Sequence, residues 1–191
     1  MVGGPVTLAL EYERVCREPS DIYMHLPRLV ALVEELQAEH VIELGTRTGV
    51  STIAWLYALE RTGGRLTSVD IAARPSIGDH EHWTFIQSDD LNPLLLGALR
   101  PAEIVFIDTS HLYEQTRAEL NIYRHLVKPG GVLVLHDTML ERPEGAPPLP
   151  RFPVRTAVAE FCEAEGFEWV NFPDCWGLAV IKIPGGVSPS R

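Results

Sequence analysis

Short apolar runs rich in β-branched residues alternate with helix-patterned stretches through most of this chain, and that alternation limits the fold more than any other feature. VIEL at 41–44, RLTSVD at 65–70, WTFIQ at 83–87, EIVFID at 103–108 and GVLVLHD at 131–137 have the length and composition of strands covered on both faces. Between them, 50–61 and 111–127 read as helices. Strand, helix and strand in repetition predict a parallel sheet, because parallel neighbours need a crossover long enough to hold a helix. Gly63-Gly64 and Pro129-Gly130-Gly131 punctuate the turns. Upstream, Leu26, Leu29, Val30, Leu32, Val33 and Leu36 recur at spacings of one to three residues with a helical stripe, marking an amphipathic helix that ends near Gln37 and carries Pro27 in its first turn. Downstream, 155–165 reads as a helix, and FEWVNF and WGLAVIKI suit an antiparallel pair at one sheet edge. The run MLERPEGAPPLPRFPV between Asp137 and that helix predicts a long ordered loop, and the tail from Pro184 a frayed end.

With 191 residues, 46% hydrophobic and 22% charged, the composition is that of one ordinary globular domain. Sixteen Lys and Arg against 26 Asp and Glu give a formal charge of −10, which repels a phosphate backbone and argues against a nucleic-acid partner. Cys16, Cys162 and Cys175 are odd in number and form no CxxC, so neither a disulfide framework nor a zinc knot is indicated and a reducing cytoplasm is expected. The first twenty residues lack a signal-peptide pattern, and no run approaches the roughly 18 apolar residues that span a bilayer, so neither secretion nor a membrane partner is expected.

In VIELGTRTGVST, a strand runs into a glycine turn and then a helix. Such a turn lets backbone approach a ligand closely, and the helix start presents unpaired N–H groups. The spacing of Gly45 and Gly49 is neither the GxGxxG of dinucleotide enzymes nor a P-loop, so pyrophosphate is not the expected ligand. The next strand ends at Asp70, where an acid can accept from both hydroxyls of a ribose, and the following one exits into Ser88-Asp89-Asp90. Taken singly, each acid could merely cap a helix or face water. Together they stand at successive carboxyl ends of strands, where α/β sheets bind ligands.

On these residues, ExGxxxG from Glu43 to Gly49, the acid Asp70 and SDD at 88–90, the chain from about 26 to 183 resembles the class I S-adenosylmethionine-dependent methyltransferases. The resemblance implies an α/β, Rossmann-like fold with a seven-stranded, mostly parallel sheet, one antiparallel edge strand and helices on both faces. It implies an N-terminal helical segment or lid over 1–38, a methyltransferase domain over 39–183 and a tail over 184–191. Glu43 and Gly45 would lie near the methionine end of the cofactor, with Thr46, Gly49, Ser51 and Thr52 in or behind the turn. Asp70 would hold the ribose, and Ser88 and Asp89 the adenine.

The second half carries IDTSH and HDT, which place Asp108 and Asp137 at strand ends, with His111 three residues after the first. Two adjacent carboxylates repel unless a proton or cation lies between them. IDTSHxYE followed by LxPGGxxxxHD resembles a branch containing macrolide-sugar O-methyltransferases and the cephalosporin hydroxylase-like proteins. That resemblance implies Asp108 and Asp137 as Mg²⁺ ligands and His111 as general base, with Asp108 also beside the cofactor. This chain departs from the metal-dependent relatives in having His136-Asp137-Thr138 where they carry paired acids or Asp-Asn, leaving a third ligand unassigned. Two readings stay open: Mg²⁺ at Asp108 and Asp137, or a metal-free site in which Asp108 orients His111. The expected reaction is O-methylation of a small-molecule hydroxyl, on a sugar or natural product, in a pocket that is either open or completed by a second subunit as a homo-oligomer. The rivals are methylation of another acceptor atom, a non-catalytic cofactor-binding subunit and, more distantly, a NAD oxidoreductase. His80, His82 and His125 have no ligand spacing, and Trp55, Trp83, Trp169 and Trp176 are expected as packing residues.

Overall fold

The computed structural model describes residues 7–142 and 150–185. Part of the Pro-rich loop, at 143–149, and the end of the C-terminal tail, at 186–191, lie outside them. The chain opens with α1 (Leu8–Arg17), a 3₁₀ turn (Tyr23–His25) and α2 (Leu26–Leu36). It then alternates through β1 (His40–Leu44), α3 (Val50–Thr62), β2 (Arg65–Asp70), β3 (Trp83–Gln87), α4 (Pro93–Ala98), β4 (Ala102–Ile107), α5 (Tyr113–Tyr123) and β5 (Val127–His136). The last elements are α6 (Pro153–Glu165), β6 (Trp169–Phe172) and β7 (Leu178–Lys182). The expected helix upstream of β1 ends as predicted, with Gln37 in a left-handed cap. The N-terminal helical segment resolves into α1, the 3₁₀ turn and α2, and the short α4 was not singled out by the sequence pattern.

Among the described residues, seven strands lie in the order β3-β2-β1-β4-β5-β7-β6. The five strands from β3 to β5 are parallel. The one antiparallel strand is β7, which pairs with β5 on one side and β6 on the other, so the β6–β7 pair forms that end of the sheet. Side-chain alternation along a strand divides the core into two layers. Ile104 and Phe106 of β4 face α1, α2 and α3 with Val41, Leu66 and Val134, while Val105 and Ile107 face α5 and α6 with Leu133 and Leu135. The N-terminal segment is part of the first layer: Val15, Ile22, Leu26, Leu29 and Val33 are buried in it, and Tyr12 stacks on Tyr57 of α3 at 4.2 Å.

Phe106, fully buried, packs against Trp55 at 5.6 Å between ring centroids. Phe106→Ala is expected to cost about 3–5 kcal/mol, the usual range for an aromatic cavity, read as a lower midpoint in urea unfolding. Trp55 is a packing residue as expected, but Trp176 departs from that expectation: it is 52% exposed, in the β6–β7 turn. Among the described residues, no helix is long and apolar enough to cross a membrane.

Candidate functional site

All five parallel strands point their carboxyl ends to one edge, so the acids that end them converge without any sequence proximity. β1 runs into Gly45, whose φ of +86° is left-handed. A Cβ at that position would lie 1.9 Å from the carbonyl oxygen of Asp108. Glycine there serves two needs at once: the turn's conformation and the close approach of β1 to the end of β4. The turn is then tied to β2, since the backbone N–H groups of Thr46 and Arg47 and the Thr46 hydroxyl all donate to Asp70 Oδ2, at 2.7, 3.1 and 3.0 Å. Asp70 Oδ1 accepts from the Ala72 N–H at 2.8 Å. These bonds outweigh partial burial and hold the Asp70 carboxyl below its ordinary range.

Behind the turn, Glu43 is fully buried and accepts from Ser51 Oγ at 2.7 Å, Thr52 Oγ1 at 2.9 Å and Ser68 Oγ at 2.6 Å. Burial pushes its pKa up to about 7 against the pull of those three hydroxyls. Glu43, Ser51 and Thr52 therefore clamp β1, α3 and β2 together from beneath; they do not line the cleft in front. Thr46 and Gly49 also act on the turn's shape, Gly49 at a φ of +85° beside Ile77.

In front of the turn is a cleft of about 480 Å³. Of the residues expected at a cofactor, Gly45, Asp70, Ser88, Asp89 and Asp108 line it, and His111 lines it with them. Asp89 Oδ1 accepts from the Leu91 N–H at 2.9 Å, which fixes the turn after β3. Asp90, the last acid of the SDD motif, lines it too, and so do residues that the motifs did not single out, among them Arg47, Ile71 and Gln115. Ile71 is 75% exposed directly after Asp70 and offers an apolar surface. An apolar residue after a strand-end acid was the only signal for it. The acids outnumber Arg47, so the cleft's field favours a cation.

At the ends of β4 and β5, Asp108, His111, His136 and Asp137 form one cluster. His111 and Asp137 both adopt left-handed backbone, with φ of 56° and 59°, a conformation uncommon outside glycine that Asp and His enter more readily than other residues. His111 Nε2 lies 3.1 Å from Asp108 Oδ1 and 2.9 Å from Asp137 Oδ2. Burial alone would lower its pKa, but the two carboxylates raise it to about 9. His136 is buried between the same pair and its pKa is raised to about 10 for the same reason. Both carboxyls are held below their ordinary range, burial notwithstanding, by the two imidazoles. At neutral pH the cluster is thus two carboxylates bridged by two imidazolium rings, and His111 as it stands carries the proton that a base must lack.

The donor set fits a cation. One ligand atom each of Asp108, His111 and Asp137 lies within 4.8 Å of the others. His136 Nε2 faces the backbone carbonyls of Cys175 at 3.0 Å and Asp21 at 3.2 Å, so that nitrogen must donate. Its Nδ1 is buried without a hydrogen-bond partner and faces Asp108 Oδ1 at 3.5 Å and Asp137 Oδ2 at 3.4 Å. Nε2 keeps its N–H on the carbonyls, so a cation that displaced the Nδ1 proton would find that nitrogen already pointed at the two carboxylates, the arrangement of a metal-ligating imidazole. Thr138, on the other side of Asp137 in the chain, donates to Asn171 Oδ1 at 2.6 Å.

Asp70→Asn places an amide nitrogen where three donors converge on one oxygen. It is expected to weaken cofactor binding about 10- to 100-fold, given about 1.5–3 kcal/mol for hydrogen bonds to a charged group, read by calorimetry with S-adenosylhomocysteine.

Comparison with known proteins bears on the family and the fold. Residues 42–138 match the family model described as methyltransferase domain. The chain is 30% identical over 135 residues to the rhamnosyl O-methyltransferase of Mycobacterium leprae, covering 62% of this chain and 55% of that protein. It is 25% identical over 119 residues to the O-methyltransferase ankF of Aspergillus thermomutatus, covering 58% and 50%. The chain thus spans about half the length of the curated relatives it matches. Its fold is that of the O-methyltransferase TomG of Streptomyces achromogenes, solved in complex with S-adenosylmethionine, at a TM-score of 0.66 and 19% identity over 97% of this chain and 93% of that one. The match over the β1-to-β5 half, which holds both the glycine turn and the acidic cluster, is what makes the assignment: the chain belongs to the methyltransferase-domain family, in its class I S-adenosylmethionine-dependent form.

Proposed function

We propose that this chain transfers the methyl group of S-adenosylmethionine to a hydroxyl of a small molecule, a sugar or another natural product. The observation that carries the reading is the Asp108–His111–Asp137 cluster opening into the same acidic cleft that Asp70 and Asp89 wall farther along. Both curated relatives are O-methyltransferases, one of them a rhamnosyl O-methyltransferase, which supports oxygen as the acceptor atom. Asp70 would hold the ribose, chiefly through Oδ1, which carries a single donor; Asp89 and Ser88 would take the adenine amino group, and Ile71 would offer the ring an apolar surface. Gly45 brings backbone to the methionine end, and Glu43 supports it from below.

Methyl transfer from a sulfonium is an in-line displacement, so alignment of oxygen, methyl and sulfur with water excluded is the main task. The acidic cleft favours the cationic cofactor over its neutral product and so helps turnover. The acceptor hydroxyl must also lose a proton, and His111, more exposed than His136 and facing the cleft, is its acceptor. Asp108, Asp137 and His136 Nδ1 would hold a divalent cation, which would displace the carboxylates' claim on the His111 proton and acidify the hydroxyl. Two carboxylates suit Mg²⁺, and the imidazole moves the preference toward Mn²⁺. A metal-free reaction is the second reading, favoured by the complete charge pairing of the four side chains among themselves. The free thiols Cys16, Cys162 and Cys175 support a cytoplasmic setting.

The test is methyl transfer from labelled cofactor to a panel of glycosides and phenols, with and without chelator, followed by Mg²⁺ and Mn²⁺ restoration. Activity unchanged by chelator removes the cation from the reading. No transfer to any hydroxyl, with S-adenosylmethionine still bound, favours the non-catalytic alternative.

A further inference from the structure

Outside the reacting cluster, the structure holds a second pair of acids that the reaction does not use. Asp90, in the turn after β3, is 7% exposed, and Glu119, in α5, is fully buried. Asp90 Oδ2 and Glu119 Oε2 are both buried with no hydrogen-bond partner when each acid is counted as a carboxylate. The other side of Glu119 is saturated: its Oε1 accepts from Thr109 Oγ1 at 2.6 Å and from Gln115 Nε2 at 2.9 Å. The groups facing Asp90 are Asp89 from its own turn, Glu119 and Tyr123 from α5, and nothing cationic among the principal influences on it. Tyr123 Oη donates to the Asp90 backbone carbonyl at 2.7 Å and so does not serve its carboxyl. Among the described residues neither acid is in an ion pair.

Two adjoining buried carboxylates without a cation cannot both ionise, because each is desolvated and each repels the other. One proton between the two orphaned oxygens satisfies both. We propose that Asp90 and Glu119 share one proton and thereby clasp together the two loops that wall the cofactor cleft, acting as positioning residues whose deprotonation loosens cofactor binding. The clasp joins specific walls: Asp90 lines the cleft at the turn after β3, and Thr109 and Gln115, both bonded to Glu119, line it at the start of α5. Burial, then the hydrogen bond and charge of Glu119, push the Asp90 pKa up to about 8. The folded protein therefore holds a proton that the unfolded chain has already released between its ordinary value of 3.8 and about 8. The pair's contribution to stability is present in full at low pH and falls as pH rises through that window. The effect on binding rests on the reading of the cleft as the cofactor site; the shared proton itself does not.

The experiment measures S-adenosylhomocysteine affinity by calorimetry, and the thermal midpoint without ligand, from pH 6 to 9.5 in wild type, Asp90→Asn and Glu119→Gln. Either amide supplies a permanent N–H donor to the remaining carboxylate. Above about pH 8 the wild type is expected to lose affinity by up to about tenfold per pH unit, the limit for one linked proton, and each variant to lose distinctly less. The wild-type midpoint is expected to fall more steeply than the variants' midpoints from pH 6 to about 8 and to level off toward theirs in slope above it. Equal slopes in wild type and both variants overturn the proposal. Absence of ligand binding by the wild type at every pH overturns the cofactor reading instead, and the ligand-free midpoints still decide the shared proton.

Discussion

His111→Ala is expected to lower the rate of methyl transfer by about 10²–10⁴-fold, the usual contribution of a positioned acid–base group, while leaving cofactor affinity within a few-fold of wild type. The argument is geometric. His111 touches Asp108 and Asp137 and faces the cleft, so its loss removes the proposed proton acceptor without disturbing Asp70 or the turn after β3. His111→Gln separates chemistry from charge pairing, because an amide can donate to one carboxylate but cannot take a proton at neutral pH. Single-turnover rates with saturating cofactor check both variants. Full activity in His111→Ala would remove His111 from the reaction and leave the base to a carboxylate of the cluster.

Gly45→Ala has the other large expected effect. The new methyl group would sit 1.9 Å from the Asp108 carbonyl oxygen, far inside contact distance, at a φ of +86° that alanine tolerates poorly. The obstacle is backbone, so no side-chain rotation relieves it. β1 and β4 must separate where Asp108 N donates to the Leu44 carbonyl at 2.8 Å, which displaces the Asp108 carboxyl from His111. The expected outcome is a loss of stability of about 1–3 kcal/mol for strained backbone, with cofactor binding and transfer both lost in the protein that still folds. Gly63→Ala is the control, since Gly63 is also left-handed but nothing lies within 4 Å of the added atom. If Gly45→Ala binds S-adenosylhomocysteine as wild type does, the close approach of β1 to β4 is not what shapes the cleft.

The strands were legible because burial on both faces demands continuous β-branched runs, and β2 and β3 match RLTSVD and WTFIQ residue for residue. The acids at strand ends were legible for a related reason: a parallel sheet sends every carboxyl end to one edge, so a residue's place at the end of a run already fixes its neighbourhood. Asp70, Asp89 and Asp108 line the cleft on that account. Glu43 was less legible. Its motif marks the right turn, but whether the side chain points into the cleft or beneath it depends on strand alternation and on Ser51, Thr52 and Ser68 waiting behind it. Glu119 gave no signal, because a buried acid in a helix looks like any polar position until its partner on another loop is known. His136 could be seen in HDT, but the direction of its Nδ1 is set by carbonyls of Asp21 and Cys175, distant in sequence.

By itself the sequence determined the βα alternation, the sheet it forms and the edge at which the acids gather, because these follow from periodicity and from local turn chemistry. Tertiary structure alone decided which of those acids meet a base, a hydroxyl or one another. That choice depends on side-chain direction and desolvation across strands: Asp137 from β5 joins Asp108 in raising His111 to about 9, and Glu119 from α5 with burial raises Asp90 to about 8.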